Sequence, residues 1–447
     1  MAYDSIFSRS FSQYHELRKL RCVALLLCFI ITFSLCNILK QSAVNLELSM
    51  ALGLKMLIGF EKINGPQQTY NVNSIYNLSN SRSDVLEING DIRIHGKSAT
   101  VFIASSLEGF PRSWTMEPYA RKGDVFVMNY VRKWKINYQV TTKSPNCVRN
   151  FSIPAILFST GGYTGNQFHD FTDLLIPLYL TSRPFNGAVI FLVTDKRYPW
   201  TSKYKVILEE LSQYDIINID KEKEVLCFTR MIFGLKAHKE FGINPSEFPY
   251  YSIMGFRQFL RSTYSLERKS INNCRWCKIR PRMLIISRKN SRFLKNEVEV
   301  AKLAQGLGFD VMVEEIVSNL SIVAKFVNTF DVIMGVHGAG LTNMVFLPNK
   351  AVVIEIIPFG LELLARPYFQ SPAKEMNLRY LEYKVSLNES SLLGKYPVDS
   401  EVYRNPGAIQ KKGFLGFRSI YLDNQNISLD CGRFRETLLK ALKLVCN

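Results

Sequence analysis

The stretch 331–358 constrains the fold more than any other part of the chain. It begins with an apolar run at 332–334, short enough for a buried strand, then meets three glycines, and ends in a second strand-like run at 351–357. This order is typical of a βαβ unit, in which glycines let the backbone approach a ligand and free helix amides face an anion. The glycine spacing differs from the dinucleotide-binding fingerprint, so an ordinary turn is the alternative. The stretch predicts a parallel sheet with a candidate ligand loop.

An uncharged run near the N-terminus, 22–39, predicts the subcellular localisation of the protein. Its 18 residues are at the short end of what spans a bilayer. Arg18, Lys19 and Arg21 precede it, and such a basic flank favours a cytoplasmic N-terminus with the later residues in the lumen. A cleaved signal peptide is the alternative, but no small-x-small cleavage site follows the run. We therefore expect a single-pass type II anchor.

Sequons and cysteines are consistent with a secretory-pathway domain. Five Asn-x-Ser triplets predict N-glycosylation at Asn77, Asn150, Asn319, Asn388 and Asn426. The cysteines that follow the anchor are Cys147, Cys227, Cys274, Cys277, Cys431 and Cys446. Their even number predicts structural disulfides, although the spacing does not choose the pairs. Cys274 and Cys277 form a lone CxxC, which lacks the second motif of a zinc site.

The formal net charge of +18 restricts the class of partner. A strongly basic chain can bind nucleic acid, but a luminal domain meets none, and no stripe of interleaved basic and aromatic residues is present. An anionic small molecule or an acidic polysaccharide fits the charge better. A solvated basic surface accounts for most of the lysines in either case.

Composition and hydrophobic periodicity divide the chain into six parts. They are a cytoplasmic tail at 1–21, the anchor at 22–39, a stem at 40–82, an α/β domain at 83–270, a second α/β domain at 271–400, and a C-terminal segment with a helix at 401–447. The first domain has a β-rich entry that includes a predicted strand at 125–128. In both domains, strands alternate with helices, as in parallel sheets covered on both faces.

One candidate site lies at the start of a helix that follows a glycine-rich loop. His169, Asp170 and Asp173 lie three and four residues apart, so that they share a helix face. A carboxylate or imidazole at a helix entrance can act as a general base. Capping of the helix by acidic residues is the alternative.

Two further candidate sites follow strands of the second domain. Ser287, Arg288 and Arg292 come directly after a strand, where ligands of open α/β sheets bind, and guanidinium groups suit a diphosphate. The loop of the opening stretch contributes His337, Gly338, Gly340, Thr342 and Asn343. The sequence lacks an Asp-x-Asp and a P-loop, which favours chemistry without a metal or other cofactor.

Four motifs in order resemble one family. The segments 161–166, 169–173, 284–288 and 335–343 are similar to those of glycosyltransferase family 61, in particular its plant branch that acts on xylan. The resemblance covers about 154–358. It implies a Golgi enzyme of the GT-B type, with two Rossmann-like domains facing across a cleft, that inverts the anomeric carbon without a metal.

The resemblance also implies partners and roles. The C-terminal domain would bind UDP-arabinofuranose or UDP-xylose, and the N-terminal domain would bind the xylan acceptor. Both would act at the Golgi membrane, where a complex with other Golgi glycosyltransferases can form. Asp170 or Asp173, with His169 nearby, becomes the base, and Arg288 and His337 become donor-site residues. Transfer to a protein-linked glycan and a non-catalytic carbohydrate-binding protein of the secretory pathway are the alternatives.

Overall fold

The computed structural model describes residues 74–104, 113–139, 144–271, 280–316 and 319–446. Within these ranges, no helix is long and apolar enough to cross a membrane. The predicted tail and anchor, and most of the predicted stem, lie outside the described residues. The last part of the stem range, 74–82, is described, and its Ser74–Asn77 forms a strand of the first sheet.

Fifteen strands form two sheets within the described ranges. The strands of the first are β1 Ser74–Asn77, β2 Leu86–His95, β3 Thr100–Ala104, β4 Ser113–Met116, β5 Trp134–Gln139, β6 Arg149–Phe151, β7 Ala155–Ser159, β8 Ile190–Thr194, β9 Ile217–Asn218 and β10 Val225–Phe233. Their order is β4-β5-β3-β2-β10-β7-β8-β9, with β1 on β2 and β6 on β10. The second sheet contains β11 Arg282–Ile286, β12 Asp310–Glu314, β13 Val332–Val336, β14 Val352–Ile357 and β15 Arg379–Lys384. Its order is β12-β11-β13-β14-β15 and every pair is parallel.

The described α-helices lie mostly between the strands. They are α1 Val125–Met128, α2 Gln167–His169, α3 Ile176–Ser182, α4 Tyr198–Lys203, α5 Lys205–Leu211, α6 Ile253–Thr263, α7 Glu297–Gly306, α8 Leu320–Asn328, α9 Glu362–Ala365, α10 Ser371–Glu375, α11 Glu401–Arg404, α12 Pro406–Lys412, α13 Phe414–Phe417 and α14 Cys431–Cys446. Tighter 3₁₀ turns occupy Arg183–Phe185, Ile219–Lys221, Ala339–Phe346 and Leu387–Glu389. Wider π turns occupy Asp170–Leu175, Arg366–Gln370 and Arg418–Asp423. The prediction of an α/β fold is confirmed. The first sheet was predicted to be parallel, and this is wrong for its outer part, where β2 pairs antiparallel with β3 and with β10.

Successive side chains of the central strands of the first sheet point into two different apolar cores. In β7, Ile156 and Phe158 face a large core that also contains the strands of the second sheet, whereas Ala155 and Leu157 face a smaller core on the opposite side. Successive side chains of a strand point to opposite faces, so a fully apolar strand can serve both cores. The larger core is continuous from one sheet to the other.

Helix α6 is attached to the segments around the second sheet through a buried arginine. The guanidinium of Arg257 is 1% exposed and donates to the main-chain oxygens of Val345, Leu347 and Met376 and to the side chain of Asn349. A buried charge is tolerated only where its donors find acceptors. This arginine fixes the segment between the loop after β13 and strand β14.

Local chemistry explains where the observed elements differ from the predicted ones. The prediction of a strand at 125–128 is wrong, because Asp124 accepts a hydrogen bond from the Val127 amide at 3.1 Å and caps helix α1. The helix predicted after the glycine loop widens into a π turn before Pro177. A proline has no amide hydrogen with which to bond the carbonyl one turn earlier.

One disulfide is present among the described residues, between Cys147 and Cys227. Cys431 and Cys446 are free thiols at the two ends of α14. A helix rises about 1.5 Å per residue, so the two ends are too far apart to pair with each other. Cys274 and Cys277 lie outside the described residues.

Candidate functional site

A cavity of about 1100 Å³ lies where loops of both sheets meet. The first sheet contributes residues of the loop after β7 and the start of α2, and the second contributes residues of the loops after β11 and β13. A third wall comes from the C-terminal segment, through residues of α12, α13 and the π turn after them. In parallel sheets, these loops lie at the carboxyl ends of the strands, the usual position of ligand sites.

His169 is the candidate base that faces this cavity. It lines the wall on the side of the first sheet, and its Nδ1 lies 3.0 Å from Oδ2 of Asp173. The ring packs against Tyr163, with centroids 4.3 Å apart. When a carboxylate accepts the Nδ1 proton, Nε2 of the imidazole is left as a free base. The sequence placed both residues on one face, and the structure brings them into contact.

Asp173 is buried beneath His169 and does not line the cavity. Its carboxylate is paired with Arg82 at 2.9 Å and Arg121 at 2.8 Å, and it accepts from the Tyr119 hydroxyl at 3.0 Å. Burial alone would raise its pKa, but the charge of Arg121 and the hydrogen bond from His169 lower the pKa well below the usual range. A carboxylate so strongly held in its ionised form is a poor proton acceptor and a good orienting group.

Asp170 has a different environment from its two neighbours. It is buried, lies outside the cavity wall, and accepts hydrogen bonds from the Gly165 amide and the Tyr204 hydroxyl, both at 2.9 Å. Burial raises its pKa, against the effect of these two hydrogen bonds. Its contacts hold the glycine-rich loop against the helix.

Two arginines of the second sheet form a cationic wall on another side of the cavity, although of the two only Arg292 lines it. In Arg292, which lines the cavity, Nη1 donates to the main-chain oxygen of His337 at 2.6 Å. Arg288 donates through Nε to the Ser291 carbonyl at 3.0 Å. Burial lowers the pKa of both, and the charge of Arg288 lowers that of Arg292 further. Among the described residues, no carboxylate forms an ion pair with either, so a bound anion would relieve their repulsion.

Gly338 lies directly against this cationic wall. Its φ is +149°, and a Cβ built there would lie 2.7 Å from Nη1 of Arg288 and 3.0 Å from Nη1 of Arg292. The absence of a side chain therefore lets both guanidinium groups approach the loop backbone. Positive charge beside an open loop backbone makes this a candidate anion site.

His337 also lines the cavity, and a second carboxylate orients it. Its Nδ1 bonds to Oε1 of Glu355, and Oε2 of the same carboxylate accepts from the Tyr380 hydroxyl. Glu355 is fully buried in strand β14. The cavity therefore has an imidazole with a buried carboxylate partner on each of two sides.

The remaining predicted donor-site residues support the loops. Ser287 bonds to Glu297 at 3.2 Å and does not line the cavity. Asn343 accepts from Gln167 at 2.8 Å, which ties the loop after β13 to helix α2. Gly340 packs against Ile286, and the buried Thr342 hydroxyl has no partner within the described structure.

The family follows from comparison with known proteins. The family model for Glycosyltransferase 61 matches residues 168–354, a range that contains both walls described above. The beta-1,2-xylosyltransferase XYXT1 of Oryza sativa subsp. japonica is 38% identical over 385 residues, which cover 82% of this chain and 83% of the relative. The chain belongs to the glycosyltransferase 61 family.

Other members of the family are equally informative. The alpha-1,3-arabinosyltransferase XAT3 of Oryza sativa subsp. japonica is 44% identical over 82% of this chain and 64% of its own length. The xylan glycosyltransferase MUCI21 of Arabidopsis thaliana is 32% identical over 93% of this chain and 88% of its own length. The chain thus spans less than two thirds of the arabinosyltransferase that it resembles.

The sequence did not identify several residues of the cavity of this glycosyltransferase 61 member. Arg82, Arg121 and Glu240 form an ion-pair network on its wall, and Tyr368 lies beside His337 with ring centroids 6.1 Å apart. These residues come from distant parts of the chain and carry no local pattern. Glu355 alone had a signal, because it is the one charged residue in the apolar run 351–357.

The predicted glycosylation sites differ in exposure. Four of the predicted glycosylation sites are exposed, namely Asn77, Asn150, Asn319 and Asn388. Asn426 is partly buried, and its side-chain oxygen accepts from the Phe293 amide at 3.2 Å.

Within the described residues, no cluster of three or more His, Cys, Asp or Glu side chains is arranged to hold a metal ion.

Proposed function

We propose that the chain is an inverting glycosyltransferase that moves a pentose, arabinofuranose or xylose, from a UDP-sugar to xylan. One observation carries this proposal: His169 and the wall formed by Arg292, His337 and Gly338 line the same cavity. A single displacement needs a base on one side of the reacting carbon and positive groups on the other. The names of the rice and Arabidopsis relatives support the choice of pentose and acceptor.

In this mechanism, His169 is the base and Asp173 orients it. The acceptor hydroxyl oxygen attacks the anomeric carbon, its proton passes to Nε2 of His169, and the bond from the anomeric carbon to the diphosphate oxygen breaks. The leaving UDP keeps the electron pair of that bond. Attack from the face opposite the leaving group inverts the configuration. Asp173 holds the Nδ1 proton and stabilises the imidazolium that forms.

The leaving diphosphate would be bound by the second sheet. Arg288 and Arg292 supply charge, Gly338 supplies a close backbone approach, and His337 supplies an imidazole whose orientation Glu355 fixes. We propose that these groups suffice without a metal ion. Full activity after treatment with a chelator is expected, and a loss of activity that added divalent ions restore would contradict this part of the proposal.

The proposal extends to the domain arrangement and the subcellular localisation of the chain. Two Rossmann-like domains would face each other in a GT-B arrangement, with the acceptor held by 83–270, the UDP-sugar held by 271–400, and the segment 401–447 packed on the body. The presence of two sheets whose loops meet at one cavity supports this arrangement. A type II anchor at 22–39 would hold the catalytic region in the Golgi lumen, where a complex with other glycosyltransferases could form.

A transfer assay tests the proposed function. The full chain is incubated with UDP-arabinofuranose, UDP-xylose and UDP-N-acetylglucosamine, each with xylooligosaccharides as acceptor. We expect the acceptor mass to rise by one pentosyl unit with one of the two pentose donors, in a linkage of inverted configuration. Transfer of N-acetylglucosamine instead, or no transfer from any donor by protein that binds UDP, would contradict the proposal.

A further inference from the structure

Exposed apolar side chains border the cavity on two sides. On one side, α1 presents Val125 and Phe126, which are 76% and 36% exposed and also line the cavity. Phe126 packs edge-on against Tyr130, with ring centroids 5.6 Å apart. On the other side, Phe414 of α13 lines the cavity and is 42% exposed, and Leu415 beside it is exposed. We call Phe126, Tyr130, Phe414 and Leu415 the rim.

Both sides of the rim are rigidly mounted. Asp124 caps α1, and Val127 of that helix is fully buried in the main core. On the other side, Phe417 and Tyr421 are buried in a third apolar cluster, and the Tyr421 hydroxyl donates to the Val402 carbonyl at 2.7 Å. The backbone that carries the rim is therefore held in place, which lowers the entropic cost of binding a ligand.

Resting on the proposed function, we propose that the rim binds the xylose units that flank the unit being modified. A branch is added to a unit inside a polymer, so the neighbouring units must leave the cavity while one hydroxyl stays beside His169. The apolar face of a pyranose ring can pack on an aromatic ring, and Gln410, which lines the same wall as Phe414, can bond to hydroxyl groups.

The charge of the rim indicates which polymer it fits. Its four members are uncharged, although the chain as a whole carries a formal charge of +18. Among the described arginines that line the cavity, Arg292 has no ion pair, and it belongs to the proposed donor side instead. Beside the rim, Arg418 is paired with Asp423 at 3.2 Å. A neutral polysaccharide therefore fits the rim better than an acidic one.

Acceptor kinetics of the full chain test this assignment. We expect Phe126→Ala and Phe414→Ala each to raise the acceptor KM by about 2- to 10-fold, with the two factors multiplying in the double variant. The kcat and the donor KM should stay unchanged, and the effect should vanish with acceptors too short to reach the rim. Phe126→Trp, which keeps an aromatic ring at this position, should have the acceptor KM of the unmodified chain. Tyr250→Ala is the matched control, because Tyr250 is an aromatic residue that is 86% exposed and does not line the cavity.

A binding measurement separates the rim from the transfer reaction. In electrophoresis through gels that contain soluble xylan, we expect the chain to be retarded, and the double variant to lose retardation while the Tyr250→Ala variant keeps it. Gels with polygalacturonate test an acidic polymer. Retardation without any transfer would support the rim and contradict the proposed function. Active transfer with an unchanged acceptor KM in the double variant, or stronger retardation by polygalacturonate that the double variant retains, would overturn the rim assignment.

Discussion

Substitution of Gly338 by alanine tests the anion site at its most sensitive point. The new Cβ would lie 2.7 Å from Nη1 of Arg288, closer than a carbon atom and a nitrogen atom can pack, and 3.0 Å from Nη1 of Arg292, which is a tight contact. The φ of +149° adds backbone strain for any residue with a side chain. At least one guanidinium group must therefore move away from the loop.

The size of the effect follows from the hydrogen bonds lost. A hydrogen bond to a charged group contributes about 1.5–3 kcal/mol. The loss of one such bond to the diphosphate weakens UDP binding by about 10- to 150-fold. Isothermal titration calorimetry with UDP and no acceptor measures this directly. The pyrophosphate portion should carry the effect, so uridine binding should change much less.

A matched glycine serves as the control for this experiment. Gly306 ends helix α7 in the same half of the molecule, and a Cβ there meets no atom within 4 Å. The Gly306→Ala variant should bind UDP as the unmodified chain does. If Gly338→Ala is folded and its Kd for UDP lies within about twofold of the unmodified value, the loop is not the diphosphate site.

Further predictions concern buried charges. Asp173→Asn should lower kcat by about 10²- to 10⁴-fold with little effect on UDP affinity. Asp170→Asn should lower the free energy of unfolding by about 1–3 kcal/mol, measured by urea denaturation, because it loosens the glycine loop, and it should lower kcat less. The pKa of Asp173 is lower in the folded chain than in the unfolded chain, where it is about 4. Its ion pairs therefore stabilise the fold fully above about pH 4, and this stabilisation is lost as the pH falls through the pKa of the folded chain. The Tm should accordingly fall on acidification from about pH 5, and fall less in Asp173→Asn. Arg257→Leu should lower the free energy of unfolding by about 3 kcal/mol or more, measured by urea denaturation, because it leaves several buried acceptors unpaired. An unfolding free energy equal to that of the unmodified chain would contradict the role of Arg257.

The strands of the second sheet could be read from the sequence because their pattern is local. Strand β13 at Val332–Val336 and strand β14 at Val352–Ile357 agree with the predicted runs to within two residues. Short apolar runs bounded by glycines are typical of buried parallel strands. Helix α1 was missed because its four residues are apolar and β-prone, and the single capping contact from Asp124 decides its conformation.

The candidate site was only partly accessible to the same reasoning. The sequence placed His169, Asp170 and Asp173 within one helical turn but could not say which of them faces a cavity. That choice depends on Arg82 and Arg121, which lie 91 and 52 residues away in the chain and neutralise Asp173 from outside the helix. Contacts at such a distance leave no periodic pattern in the sequence. Glu355 is the exception, because a lone acid in an apolar strand requires a buried partner.

The central claim is that His169 removes the proton from the acceptor hydroxyl, and pentosyl transfer by a His169→Ala variant tests it most directly. The unmodified chain and this variant are compared with UDP-pentose and xylooligosaccharides, while calorimetry follows UDP binding in parallel. We predict a fall in kcat of about 10²- to 10⁴-fold at an unchanged Kd for UDP, because the imidazole belongs to the first sheet and the proposed diphosphate site belongs to the second. A folded variant that transfers pentose as fast as the unmodified chain would contradict the account.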